Sequence, residues 1–223
     1  MGFDFQYMLG LTPILLKYLG TTMQLACWGM VFSIILSVII ANIRVFKVPV
    51  LDQFFQLYIS FFRGTPLLVQ LFLFYYGLPQ IFPIMVGLDG MSATVLGLTL
   101  HFSAYMAETI RASILGIDRS QMEASLSIGM TTRQAMRRII LPQASRIALP
   151  SLMNYFIDMI KSTSLAFTLG VPEIMAKAQM EASSSFRFFE AFLAVALIYW
   201  VLVLILTRIQ TWAEVKLNKA YLR

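Results

Sequence analysis

Apolar positions in this chain come in long unbroken runs, wider than the stripe that a soluble helix buries. No Asp, Glu, Lys or Arg occurs between Lys17 and Arg44, or within Gly64–Leu88, Gly90–Ala107 and Ala191–Thr207. A further window, Ile147–Pro172, is broken only by Asp158 and Lys161. About 20 helical residues cross a hydrocarbon core of about 30 Å. The windows therefore predict five membrane spans, at about 19–43, 60–78, 91–109, 147–169 and 192–209. Pro49 and an amphipathic stretch to Phe62 follow the first span, and Pro79, Pro83, Gly87 and Gly90 punctuate the connection after the second. Val171–Glu190 predicts a short helix outside the membrane, with Pro172 in its first turn and Glu173 beside the positive end of its dipole. The expectation is an all-α integral membrane protein forming one domain over residues 1–223.

Composition agrees, with 59% hydrophobic and 13% charged residues, against about 45–50% and about 25% in soluble domains. A net charge of +6 could suit nucleic acid, but its placement is a topology signal. Of 17 Lys and Arg, 12 fall in Arg44–Lys47, Arg111–Arg146 and the tail from Arg208. Lys17, Lys177 and Arg187 fall in the opposite set of connections, among Asp4, Asp89, Glu173, Glu181 and Glu190. The positive-inside bias then puts the basic set in the cytoplasm, the N-terminus outside and the C-terminus inside, as an odd number of spans requires. Asp4 stands where a cleaved signal would be basic, so the first apolar run is expected to stay as a span. The single cysteine, Cys27, leaves no intrachain disulfide. With His101 as the single histidine, no intrachain metal site is expected.

Residues 111–146 are polar and rich in arginine, and form a cytoplasmic connection between the third and fourth spans. Asp118–Ile128 predicts a helix, with Gly129 suited to a left-handed cap because it lacks a Cβ. Thr131 with Gln134 is a capping-box pattern opening a second helix over about 132–140, which Pro142 is expected to end or kink. Arg133 and Arg137 share a face at i, i+4, with Arg138 adjacent. Small Ala124 and Ser125 would let a partner approach closely, and Glu123 would offer it a charge. By spacing alone, arginines that merely anchor a solvated loop at lipid head groups account for the segment equally well. No Gly-Lys pair occurs anywhere, so the chain holds no P-loop, and driven work needs energy from another subunit.

Glu123-Ala124-Ser125, three residues, Gly129, nine residues and Ile139-Ile140-Leu141-Pro142 resemble the EAA loop of ABC importer permeases, with Ser125 where the second alanine usually stands. Further stretches are similar to the branch that takes up polar amino acids. They include Arg63-Gly64-Thr65-Pro66-Leu67 with Gln70-Leu71, Tyr76-Gly77-Leu78-Pro79, and Ala104-Tyr105 with Glu108 and Arg111. Ser127-Ile128-Gly129-Met130, Leu141-Pro142-Gln143-Ala144 and Lys161-x-Thr163-Ser164-Leu165 complete the series, and within the branch the chain looks most like L-cystine permeases. The resemblance implies a type I, MetI-like permease fold in a bacterial inner membrane and a non-catalytic role. It implies that Glu123, Ala124, Ser125, Gly129, Ile139, Leu141 and Pro142 belong to a coupling segment seated on an ATPase. The implied partners are two ATPase subunits carrying ATP and Mg, an extracytoplasmic amino acid-binding protein and a second permease subunit, identical or homologous. No cofactor is implied in this chain.

Ionisable residues inside spans are costly and point to function. A zwitterion in transit needs donors for its carboxylate and acceptors for its ammonium. Asp158 and Lys161 lie on one face of the fourth span, either as a closed pair or on the path, with hydroxyls of Thr163 and Ser164 nearby. Arg63 precedes the helix-breaking Gly64-Thr65-Pro66, and either snorkels to head groups or borders a broken-helix site. Glu108 either pairs with Arg111 at the interface or borders the path, and His101 and Asn154 are expected to be satisfied by packing. Tyr75, Tyr76, Tyr199 and Trp200 are expected as interfacial anchors. An ATP-independent channel or facilitator is the competing function, and it leaves the arginine-rich connection without a role. A membrane-embedded enzyme would need a nucleophile, base or metal cluster, which the sequence does not contain.

Overall fold

A computed structural model describes residues 2–218, with side chains to Lys216. Among the described residues every regular element is a helix. They are α1 (Phe5–Leu16), α2 (Leu19–Val45), α3 (Leu51–Gly64), α4 (Leu67–Phe72), α5 (Gly90–Leu115), α6 (Arg119–Ser127), α7 (Thr132–Ala135), α8 (Leu141–Ser162), α9 (Ile174–Ser185) and α10 (Phe188–Asn218).

The molecule is organised around α2 and α5, which run side by side in the same direction, Gly29 beside Leu98 and Arg44 beside Glu108. In lipid, apolar side chains gain little by burying against one another, so helices associate through close packing of small residues. Ala26, Gly29, Ser33 and Ser37 form such a stripe on α2. A Cβ on Gly29 would lie 2.9 Å from Met159 Sδ and 3.3 Å from Leu98 Cβ, so α2, α5 and α8 converge there. Ser33 adds a hydroxyl donated to the Thr99 carbonyl at 3.2 Å. Leu25, Leu71, Phe102 and Ala166 fill the centre around this contact.

The window 60–78 is interrupted at the helix-breaking Gly64-Thr65-Pro66, and sharply. The helix stops at Gly64, Thr65 and Pro66 are extended, and the chain turns through 111° into α4. Steric conflict with the proline ring drives Thr65 out of helical space, and Pro66 has no N–H to continue the ladder. After α4 the chain widens into a π turn, Leu73–Gly77, and then tightens into short 3-10 turns.

Pro142 does not end the helix expected before it. A π turn, Met136–Ile140, joins α7 to α8, with the Leu141 N–H donated to the Met136 carbonyl. The register shift puts Pro142 in the first turn of α8, where no N–H is required, so helix runs unbroken from Thr132 to Ser162. Beyond Ser162 the chain narrows to a 3-10 helix, Thr163–Leu169, closed by Gly170 at φ +77°.

Two features near the first and fifth apolar windows escape sequence periodicity. α1 was not expected; it is capped by the Asp4 carboxylate accepting the Tyr7 N–H at 2.9 Å, and it packs on α9 and α10 through Leu11 and Leu15. In α9, Pro172 lies before the helix and Glu173 is its N-cap, accepting the Ala176 N–H at 2.7 Å. Glu173 is fully buried and accepts from the Tyr199 hydroxyl at 3.3 Å, so Tyr199 serves packing and hydrogen bonding rather than interfacial anchoring. Burial pushes the Glu173 carboxyl up to about 7, against the bonds from the α9 backbone and Tyr199 that pull it down.

Candidate functional site

The connection between α5 and α8 is a helix, a corner and a second helix, each junction closed by bonds its sequence supplies. Asp118 Oδ1 accepts the Ser120 N–H at 2.8 Å and opens α6. α6 ends with Gly129 at φ +81°, where Met130 N–H donates to Ser125 O and Gly129 N–H to Leu126 O, a Schellman pair. Thr131 and Gln134 then exchange the two bonds of the expected capping box, at 2.9 and 3.3 Å. One side of the segment is packed, since Met136, Ile140 and Ala144 join Ile114 at the foot of α5 and Val45 at the foot of α2.

The other side is open. Glu123, Ala124 and Gly129 are exposed, together with Leu126 at 45% and Ile128 at 74%. Ser125 is not on that face: it is 2% exposed and donates its hydroxyl to the Gln121 carbonyl at 2.6 Å. The exposed Leu126 and Ile128 were not singled out by sequence reasoning; the available signal was apolar side chains in a largely polar segment. Ile139 is half-buried, whereas Leu141 and Pro142 are exposed at the start of α8.

Glu108 sits just above this segment, paired with two arginines. It accepts from Arg111 Nη2 at 2.7 Å, as expected, and also lies 3.5 Å from Arg44 Nη1. Arg44 Nε in turn lies 2.8 Å from Asp52 Oδ1, a charge contact rather than an aligned hydrogen bond. Four side chains thereby tie α2, α3 and α5 at one level. Arg44 and Asp52 were not foreseen, because they lie far from Glu108 in sequence.

The residues expected to border a path fall into two groups. The first surrounds the corner between α3 and α4. Gln70, 1% exposed, places Nε2 3.0 Å from the Phe62 carbonyl and 2.8 Å from Thr65 Oγ1, filling acceptors that the break leaves open. Gln70 Oε1 lies 3.1 Å from His101 Nδ1, so with the amide so oriented the imidazole is the donor. The His101 ring lies 5.1 Å from that of Tyr105, and the Arg63 guanidinium 5.4 Å over the same Tyr105 ring. Ile59, Ser60, Arg63, Gly64 and Tyr105 border a cavity of about 400 Å³. Tyr155, 6.2 Å from Tyr105, shares a 3.0 Å bond with Thr109. Arg63, Gly64, Thr65 and Pro66 are thus brought together with aromatic residues of α5 and α8.

The second group is a polar stripe on α8. Lys161 Nζ and Asp158 Oδ1 are 2.6 Å apart, with side chains 53% and 51% exposed, and Asn154 is exposed one turn earlier. Ser164 is partly exposed and donates to the Lys161 carbonyl at 2.7 Å. Thr163 is fully buried and donates to the Ile160 carbonyl at 2.7 Å, which removes it from the stripe. Among the described residues no three His, Cys, Asp or Glu approach closely enough to hold a metal ion.

Comparison with known proteins gives the context for this geometry. The family profile of the binding-protein-dependent transport system inner membrane component matches residues 8–219. The chain is 84% identical over 223 residues, all of both chains, to the probable amino-acid ABC transporter permease protein PatM of Vibrio harveyi. It is 50% identical to the probable amino-acid permease protein YxeN of Bacillus subtilis, over 98% of this chain and 97% of the relative. A solved amino acid ABC transporter with histidines superposes with a TM-score of 0.90 at 34% identity, covering 97% of this chain and 100% of that one.

Proposed function

The chain belongs to the family of inner membrane components of binding-protein-dependent transport systems, and from that premise we propose that it forms the membrane path of an ATP-driven importer of polar amino acids. It is an amino-acid ABC transporter permease subunit, with the ATPase activity in a partner subunit. An ATPase and a substrate-binding protein are the partners that its family implies. The proposed complex has two ATPases, carrying ATP and Mg, and a second permease that is identical or homologous. The proposed topology is one domain with five crossings, the N-terminus outside and the C-terminus cytoplasmic.

One observation carries the coupling role. The ridge of Leu126, Ile128 and Gly129 is open on one side, while the opposite side of the same segment is packed against the feet of α2 and α5. An exposed isoleucine and leucine beside a glycine corner fit a groove on another protein. When ATP draws the ATPases together, the segment is pulled with them, and Ile114, Met136 and Ile140 pass the displacement to α5 and α8. Hydrolysis restores the first arrangement, a shift between two populations driven by contacts made in one and not the other.

The proposed path is bordered by Arg63 at the corner after α3, by Asp158 and Lys161 on α8, and by Ser164 in the 3-10 turn that follows it. A half-exposed ion pair on an apolar helix is unsuited to lipid, and suits a wet passage between two permeases. Cationic Arg63 or Lys161 would steer the carboxylate of an amino acid, and Asp158 its ammonium. L-cystine is the first cargo to test, since the L-cystine transport system permease proteins TcyL and TcyB of Bacillus subtilis share 34% and 40% identity with this chain. An arginine permease, ArtQ of the same organism, stands at 32% and an octopine permease, OccM, at 36%. Identities this similar across different side chains favour a permease that reads the groups every amino acid shares.

The test is uptake of labelled L-cystine, arginine and glutamine by proteoliposomes holding the permease with its ATPase and binding protein. Uptake is expected only with all components and internal or external ATP on the ATPase side. Flux through the permease alone, down a gradient, would favour the facilitator.

A further inference from the structure

Arg133, Arg137 and Arg138 form no ion pair among the described residues. Two open cavities meet at them. One, of about 460 Å³, is bordered by Arg133, Gln134, Arg137 and Arg138 alone. The other, of about 450 Å³, shares Arg133 and Arg137 but adds Phe46, Met136 and Leu141, and climbs to Asn42 on α2. Above Asn42 the exposed side chains of α2 are apolar, Ile39 at 50% and Ile35 at 54%. The composite space is therefore cationic at one end and apolar at the other, where it meets α2, a helix long and apolar enough to cross a membrane.

We propose that Arg133, Arg137 and Arg138 hold the phosphate of an anionic phospholipid of the cytoplasmic leaflet, whose acyl chain lies along Phe46, Met136 and Leu141. Guanidinium groups bind phosphate oxygens through paired N–H donors, and three exposed ones clustered without an acidic partner favour an anion. Basic pockets at the cytoplasmic ends of membrane helices suit such head groups. An acidic protein surface is the weaker fit. Ile128 and Gly129, the proposed ATPase contact, lie on α6 and its corner, whereas this space follows α7 and the foot of α2 toward the membrane. A bound lipid would brace the coupling segment against α2, so the bilayer would share in the coupling.

The test uses the purified permease–ATPase complex exposed to equimolar phosphatidylglycerol and phosphatidylcholine of identical chains, with retained lipid counted by native mass spectrometry. The unmodified complex is expected to keep phosphatidylglycerol over phosphatidylcholine by roughly tenfold. The Arg133→Gln/Arg137→Gln variant is expected to approach parity while retaining the ATPase, and Arg119→Gln to leave the preference intact. Parity in the unmodified complex overturns the proposal without reliance on any variant. So does undiminished preference in the double variant. Loss of the ATPase with the preference kept would assign the arginines to the protein partner, and displacement by millimolar inorganic phosphate would assign them to a free anion; either result overturns the lipid.

Discussion

Gln70 closes a gap that the chain itself creates. The break at Thr65 and Pro66 leaves carbonyls of α3 without helical partners, and one buried amide reaches Phe62, Thr65 and His101 together. Gln70→Leu would keep the volume and remove those bonds. It is expected to cost about 1–3 kcal/mol of stability, read as a lowered melting temperature, and to weaken uptake by releasing Arg63 and Tyr105. An unchanged melting temperature would mean that water satisfies the corner equally well. Glu173 gives a second residue-scale prediction. Its carboxyl is raised by burial from 4.5 to about 7, so between those pH values the folded protein holds more protons than the unfolded chain. Stability is therefore fullest below about pH 4.5 and is lost as pH rises through 7, by roughly 3 kcal/mol in all. Thermal unfolding across pH 5–8 should show this slope, and Glu173→Gln should flatten it. The sequence placed Glu173 at the start of its helix and Gln70 in a shared motif, but a glutamine in an apolar run and a glutamate between spans carry no sign of their tertiary partners.

Among the elements, those set by local chemistry were legible and those set by geometry were not. Asp118, Gly129, Thr131 and Gln134 announce two short helices and the corner between them, because each cap is a bond within a few residues. The π turn before Pro142 and the 111° corner after Gly64 were hidden, since a proline marks a break without fixing its direction. Gly129 gives the sharpest element-scale prediction. At φ +81° a β-branched side chain is strained, so Gly129→Val should cost about 1–2 kcal/mol locally. It should reduce uptake and stimulated ATP hydrolysis while the subunit still inserts. Ile128→Asp should leave the corner intact yet loosen the ATPase, measured as its loss during size-exclusion chromatography. An undiminished complex would remove Ile128 from the contact.

At the scale of the whole molecule, charge-free windows disclosed an all-helical membrane protein, but not which polar side chains face one another. Two strongly apolar helices, α2 and α10, stand out by length and composition, whereas α5 and α8 carry more polar groups. The half-exposed Asp158–Lys161 pair separates structure from transport. Exchanging the two residues, Asp158→Lys with Lys161→Asp, preserves neutrality, so expression should match the unmodified protein while uptake falls sharply. Full uptake by the exchanged pair would make it a packing feature.

The central claim is that the segment after α5 lies in the cytoplasm, seated on a separate motor. It is tested most directly by placing a thiol on the exposed ridge, Ile128→Cys with Cys27→Ser, and treating whole cells with a reagent that cannot cross lipid. The thiol should be silent in intact cells, react once they are permeabilised, and be shielded when the ATPase is present. Labelling in intact cells would put the ridge outside and contradict the account.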